Sequence, residues 1–399
     1  MAKQASFTTI VVLLTMLVAL APTSTDLYLP SLPSIGVYFG ASVSQTQLTL
    51  SAFMVGLSLG TLFYGPVSDR FGRKPPMVIG LVVFTVATLT CAFADSIDRL
   101  IALRFISAVG GCATGVLTRA MVRDMYGREE AARIFSYMGG AMALAPAVAP
   151  IIGGVVHTAL GWHGQFYVLT GIGAALTLAS LLILSETNKQ MNPQAIDPSR
   201  LARNITHLLR HKGFIGFTFT TAFTYGGLFS FISGGSFVVI DILGVAPENF
   251  GYCFIFVAIG FISGSAVGAK LIRKLGILKT MQLGVWIGLC AGLTGLTLAL
   301  LHIQNVVTVI GPVAFVFFAC ALVFPNALAG ALAPFPDMAG TASSVTGCIQ
   351  MGAGALIGAS VGKLLDNTTV PLFAVITATT LMALLVYYGV VRRTQHEHL

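Results

Sequence analysis

The stretch "YGPVSDRFGRKP", Tyr64 to Pro75, gathers Asp69, Arg70, Arg73 and Lys74 between Gly65 and Gly72. Apolar sequence flanks this knot of charge on both sides, in a chain of 399 residues of which only 9% are charged and 56% are hydrophobic. A soluble globular domain carries about 25% charged residues. So little charge cannot cover a water-facing surface of this size, and the solvent for most of the chain is lipid. The stretch therefore reads as a short polar loop between two membrane spans.

Windows of about 20 apolar residues place twelve spans, at 7–29, 45–68, 76–94, 98–122, 135–159, 163–184, 213–236, 249–271, 277–300, 306–328, 342–364 and 370–391. The run from Phe7 is taken as the first span rather than a cleaved signal peptide, because so many spans follow it. Basic residues test the count. Of the 22 Lys and Arg, Arg99 and Lys363 fall at the outer ends of spans and Arg104 falls inside one; the others fall on the side that holds both termini. By the positive-inside rule that side is cytoplasmic. The net charge of +8 is thus explained by topology. A lipid bilayer is the expected partner, and nucleic acid is not.

The longest polar stretch, 185–212, divides the chain into an N-terminal six-helix bundle (1–184) and a C-terminal one (213–399) joined by a cytoplasmic linker. Leu201, Ile205, Leu208 and Leu209 share one helical face of that linker, with Arg200, Arg203, His207, Arg210 and His211 on others. This pattern predicts an amphipathic helix on the inner membrane surface. "DRFG" (Asp69 to Gly72) aligns with "RKLG" (Arg273 to Gly276), each after the second span of a half. The expected fold is all-α, two pseudo-symmetric six-helix bundles, with the site near the midplane between them.

Within the opening stretch, Gly65 permits close helix packing and Gly72 a tight turn. The basic residues satisfy the inside rule, but Asp69 does not follow from it. Asp69 is expected to latch the halves through the N-terminus of the eleventh span, and the basic residues to pair with Asp124. Gly65-x-x-x-Asp69-Arg70-x-Gly72-Arg73-Lys74 resembles the signature loop of the major facilitator superfamily. "DLYLPSLP" (Asp26 to Pro33), "VRDMYG" (Val122 to Gly127), "VAPENFGY" (Val245 to Tyr252) and "FPDMAGTASS" (Phe335 to Ser344) resemble its bicyclomycin/chloramphenicol-resistance branch of drug:proton antiporters. The resemblance implies a bacterial inner-membrane exporter with proton entry driving drug exit. Its antiporter motif falls at Ala149-Pro150-Ile151-Ile152-Gly153-Gly154, preceded by Pro146, with alanine where the family usually has glycine; Ser107 stands where many relatives have Gln.

Nearly all of the 14 carboxylates fall in loops or at span ends; Asp26 is the exception. Arg104 is the matching lone cation. Both lie roughly 10 Å below the outer surface by helix rise, and two lone opposite charges at one depth are expected to pair as the proton-coupling site. Ending the first span at Pro22 would instead leave Asp26 as a solvated cap. Tyr28, Tyr225, Phe229, Phe231, Asn326 and Gln350 are the candidate lining of an apolar drug pocket. No cofactor and no metal are expected: the six cysteines make no CxxC or Cys/His cluster, and no phosphate-binding loop or HExxH is present. The expected cargo is a small, partly apolar drug, exchanged for a proton by a monomer that is not an enzyme. A proton-coupled importer of a metabolite or sugar on the same fold is the alternative.

Overall fold

The computed structural model describes residues 6–188 and 190–396, and every regular element among them is helical. Lys3 and Lys189, counted above with the basic side, lie outside the described residues. The helices are α1 (Phe7–Asp26), α2 (Leu32–Phe39), α3 (Val43–Phe71), α4 (Lys74–Cys91), α5 (Ile97–Met125), α6 (Arg128–Ile183), α7 (Pro198–Arg210), α8 (Lys212–Ser236), α9 (Pro247–Leu300), α10 (Val306–Leu332), α11 (Ala339–Leu364), α12 (Val370–Val386) and α13 (Arg392–His396). Among the described residues, ten helical stretches are long and apolar enough to cross a membrane.

Two of these are too long for one crossing. α6 has 56 residues and α9 has 54, so either would reach about 80 Å if straight, against a hydrocarbon core of about 30 Å. Each is a hairpin. Gly161 (φ 66°, ψ −169°) breaks α6 and Gly276 (φ 78°, ψ 175°) breaks α9. Gln165 Nε2 donates to the Gly153 carbonyl at 2.8 Å, two groups that a straight helix would hold about 18 Å apart. Likewise Leu322 of α10 lies against both Gly268 and Gly284 of α9. The breaks fall in the gaps expected from hydropathy.

Gly72 (φ 91°, ψ 167°) adopts nearly the same backbone as Gly276, a conformation essentially reserved for glycine. The faint match of "DRFG" to "RKLG" is therefore a match of backbone geometry. At the opposite end, polar caps start the helices. Ser42 and Gln45 form a capping box on α3, Ser96 caps α5, and Asn305 with Thr308 forms a box on α10.

The first span is longer than expected. After α1 the chain makes a short 3-10 turn, Leu29–Ser31, and continues as α2. Pro30 and Pro33 sit in first-turn positions, where a missing N–H leaves nothing unpaired.

The two halves meet along two seams. At the end away from the termini, Gly154 of α6 lies against Pro247 and Glu248 of α9, and Gly251 lies against Ile151. On the other side, Gln47 of α3 lies against Gly362 of α11 and accepts from Ser233 Oγ of α8 at 3.2 Å. The second seam runs inward through Ser58 Oγ, donating to the Cys348 carbonyl at 2.8 Å, and Thr61 Oγ1, donating to Ser344 O at 3.4 Å. One turn further, Gly65 faces open space. The halves are thus closed at the far end and part toward the basic end.

The linker is docked at both ends. Asp197 caps α7, Leu208 is buried, and Ile205 packs into the core beneath it. Phe335 of the α10–α11 connection receives the rings of His207, His211 and Phe214 edge-on at 5.7, 5.1 and 6.0 Å. Upstream, Asn188 and Asn192 lie on the Asp69 loop: Asn188 Nδ2 and Asn192 N both donate to the Asp69 carbonyl.

Candidate functional site at the break in the first span

α1 runs through Pro22 and stops at Asp26. A helix end leaves its last carbonyls without intrahelical N–H partners, and here other helices supply them. Arg104 of α5 donates from Nη1 to Ser24 Oγ at 3.2 Å and from Nη2 to the Ser24 carbonyl at 3.3 Å. Its guanidinium lies between the rings of Tyr28 and Phe53, 4.6 and 4.1 Å from their centroids. Tyr28 Oη is 3.0 Å from Thr49 Oγ1 of α3. Ser31 Oγ accepts from Gln165 Nε2 at 2.9 Å and lies 3.0 Å from His157 Nδ1, both on α6. The break is therefore gripped by α3, α5 and both arms of α6.

Asp26 is 3% exposed and Arg104 is fully buried, which rules out the solvated-cap reading of Asp26. The expected ion pair between them is nevertheless not made: no Asp26–Arg104 contact occurs within 4.0 Å among the described residues. Helix rise sets the depth of a residue but not its direction around the helix. Ser24 and Asp26 are two residues apart, about 200° around α1. The guanidinium serves the Ser24 side as a cation at a helix C-terminus, and Asp26, on another side of α1, lies within electrostatic reach of Tyr225 of α8 in the other half.

The antiporter-motif residues Pro146, Pro150, Gly153 and Gly154 lie on the first arm of α6, which stays helical through both prolines. A Cβ at Gly153 would fall on the Leu27 carbonyl, next to Asp26, and one at Gly154 on the Pro247 carbonyl. One glycine thus admits the broken end of α1 and the other the opposite half. Gly154→Val is expected to shift the protein away from the far-end-closed arrangement by ~1–3 kcal/mol, a ~5–150-fold change in population. A cysteine introduced at Ile151, which packs on Gly251 across the seam, reports it: with the native cysteines removed, its labelling by a membrane-impermeant maleimide should rise by a similar factor.

At the basic end, Arg73 Nη1 pairs with Asp69 Oδ1 at 2.5 Å and Nε with Asp124 Oδ2 at 2.9 Å, and Nη1 also donates to Ser68 Oγ. Asp69 makes no hydrogen bond or ion pair to α11 among the described residues; the expected latch is not engaged in this arrangement. Arg70 lies over Phe71 at 5.2 Å, and Lys74 Nζ donates to the Leu181 carbonyl. Sequence reading missed Glu186. Its carboxylate accepts from the backbone N–H of Arg73 at 2.8 Å and Lys74 at 3.1 Å, and from Thr187 and Asn188 at 2.9 Å. Partial burial works against its ionisation, but the N–H groups of Arg73, Asn188, Lys74 and Thr187 together hold it below the usual carboxylate range. That stabilisation is complete above the ordinary glutamate range and is lost only as pH falls through the lowered value. Glu186→Gln should therefore destabilise the solubilised protein by about 1 kcal/mol, a figure allowing for solvent screening. The difference in thermal midpoint from the parent should be flat between pH 6 and pH 8 and shrink in strong acid.

The candidate pocket residues divide. Tyr225 stacks on Phe229 at 5.9 Å, contacts Phe324, and donates to Met54 Sδ across the halves at 3.7 Å. Gln350 is half-buried on α11. Tyr28 is fully buried beneath Arg104. Phe231 packs on Phe254 and Phe317 inside the second half, and Asn326 Nδ2 donates to its own helix at Leu322 O. A cavity of about 610 Å³ bounded by His211, Lys212, Phe217, Leu278 and Gly330 contains none of the six.

Comparison with known proteins agrees with this architecture. The chain is 33% identical over 393 residues to the bicyclomycin resistance protein homolog of Haemophilus influenzae, covering 98% of each. It is 32% identical over 349 residues to a chloramphenicol resistance protein of Pseudomonas aeruginosa, covering 87% of this chain and 81% of that one. Among solved structures, a D-xylose-proton symporter superposes with a TM-score of 0.77 at 14% identity, covering 97% and 98% of the two chains. A bacterial homologue of the lysosomal transporter Spinster superposes at 0.73 and 14%, covering 97% and 98%. The profile of the Major Facilitator Superfamily matches residues 14–359, and with the two-seam helical architecture this identifies the chain as a member of that superfamily.

Proposed function

We propose that this protein is a proton-coupled antiporter that exports small, partly apolar drugs across a bacterial inner membrane. In this reading both hairpins count as two crossings, so that twelve spans form two six-helix bundles, 1–184 and 213–399. The termini and the 185–212 linker are cytoplasmic, and the molecule works as a monomer. The names of the relatives support the cargo class. The observation that carries the coupling is Asp26, a buried carboxyl at a helix break within electrostatic reach of Tyr225 in the opposite half.

Proton and cargo exchange follows from that placement. An enclosed carboxylate without a hydrogen-bond donor is costly, so the closed far end suits Asp26 in its protonated form. Ionisation calls for water, which reaches the site as the halves part. Cargo entering from the cytoplasm or inner leaflet against Tyr225 and Phe229 favours proton release, and by linkage the proton disfavours cargo to the same degree. Arg104 is not the proton's competitor here; it fixes the end of α1 so that Asp26 keeps its direction. The Asp69 loop latches onto the start of α11 when the cytoplasmic side shuts.

The test uses everted vesicles energised with a pH gradient and presented with a panel of antibiotics. Collapse of the gradient on addition of cargo is the expected result. Accumulation driven in the opposite sense would select a proton-coupled importer instead.

A further inference from the structure

Arg119 lies within the last two turns of α5. Its side chain is exposed although it lies inside the helix, and it is within electrostatic reach of Cys112. On the same helical face, Gly115 looks onto open space one turn away, and Cys112 packs against Gly60 of α3. Cys112 is also within electrostatic reach of Cys348 on α11. Arg119 thus stands where the seam between the halves opens, inward of the Thr61–Ser344 contact.

Its neighbours supply no counter-charge. Arg73 and Arg99 find carboxylates and Arg104 finds Ser24. Among the described residues no ion pair or hydrogen bond takes up the Arg119 guanidinium. The charged group that bears on it is Arg123, of the same sign, whose Nε donates to the Arg119 carbonyl at 3.3 Å. A guanidinium that solvent reaches and no described protein group holds is open to an acceptor from the contents of the space it faces.

We propose that Arg119 is a cargo-binding residue, which takes a carboxylate, sulfonate or similarly anionic oxygen group of the exported molecule and turns cations away. This rests on the export reading and narrows its cargo. A planar guanidinium binds two such oxygens side by side, and the open space beside Gly115 leaves room for the body of the guest. The same oxygens could come from a lipid headgroup, so the experiment separates the two sources.

Radiolabelled benzylpenicillin (anion) and tetraphenylphosphonium (cation) are titrated onto the purified full chain in detergent, with no pH gradient. The readout is the anion-to-cation preference at one fixed pH and its response to Arg119 substitutions, which does not require that a proton be exchanged, so the two proposals fail separately. The parent should prefer the anion. Arg119→Gln should weaken benzylpenicillin by ~10–100-fold, Arg119→Lys should keep the preference, and Arg119→Glu should reverse it. Added phosphatidylglycerol should leave anion affinity unchanged; competition in the parent but not in Arg119→Gln would make lipid the occupant and overturn the proposal. So would a parent that binds the cation as tightly as the anion, a parent that binds neither, or an anion-to-cation ratio in Arg119→Glu within twofold of the parent.

Discussion

Asp26→Asn should yield a folded, membrane-inserted protein whose export no longer responds to a pH gradient, with gradient-driven transport down ~100-fold, the upper end of ordinary coupling between two ligands. Asparagine keeps the shape and removes the ionisable proton. Because Asp26 is enclosed, losing its charge is not expected to lower stability, and the thermal midpoint in detergent should match or exceed that of the parent. The diagnostic result is this split between transport and stability. Downhill exchange of cargo, measured as counterflow without a gradient, should persist in the variant. Gradient-driven export at the parent's rate would remove Asp26 from the coupling mechanism.

Replacement of Arg104 should act quite differently. Its guanidinium closes the end of α1 at Ser24 and fills the space between Tyr28 and Phe53. Arg104→Ala therefore removes a buried cap and opens a cavity, at a cost of about 3 kcal/mol. Arg104→Lys should recover only part of this, since an ammonium has neither the fork nor the flat face. A double-mutant cycle with Asp26→Asn decides how the two residues relate. Since they make no ion pair, their effects on stability should add to within about 0.5 kcal/mol. A coupling above about 1.5 kcal/mol would mean that the buried pair exists after all.

Much of the architecture could be read in advance because lipid imposes a simple rule: long apolar runs with basic loops on one side. The breaks at Gly161 and Gly276 fell where hydropathy dipped, and the Asp124–Arg73 pair could be anticipated from helix ends on one face. Direction around a helix was harder. Hydropathy gives depth, and depth alone suggested that Asp26 meets Arg104; only the packing of α1 turns one toward α8 and gives the other to Ser24. Phe231 and Asn326 are taken up by Phe254 and Phe317 and by the Leu322 carbonyl of the same helix, contacts that depth alone does not give. Glu186 was invisible because its partners are backbone N–H groups, which no side-chain pattern encodes. Arg119 fits the inside rule at the inner end of the 98–122 span, and no pattern in the sequence shows that carboxylates pass it by.

The turnaround of α6 at one residue bears on how the chain is made. With Gly161 alone between its two arms, no tail of polar residues remains to be pulled across ahead of the second arm. The two arms must leave the insertion machinery as a pair, already folded against each other through Gln165 and Gly153. An epitope or reporter spliced in at residue 161 would pry that pair apart during synthesis, while the same cargo placed between residues 193 and 196 would sit on an accessible stretch of the linker.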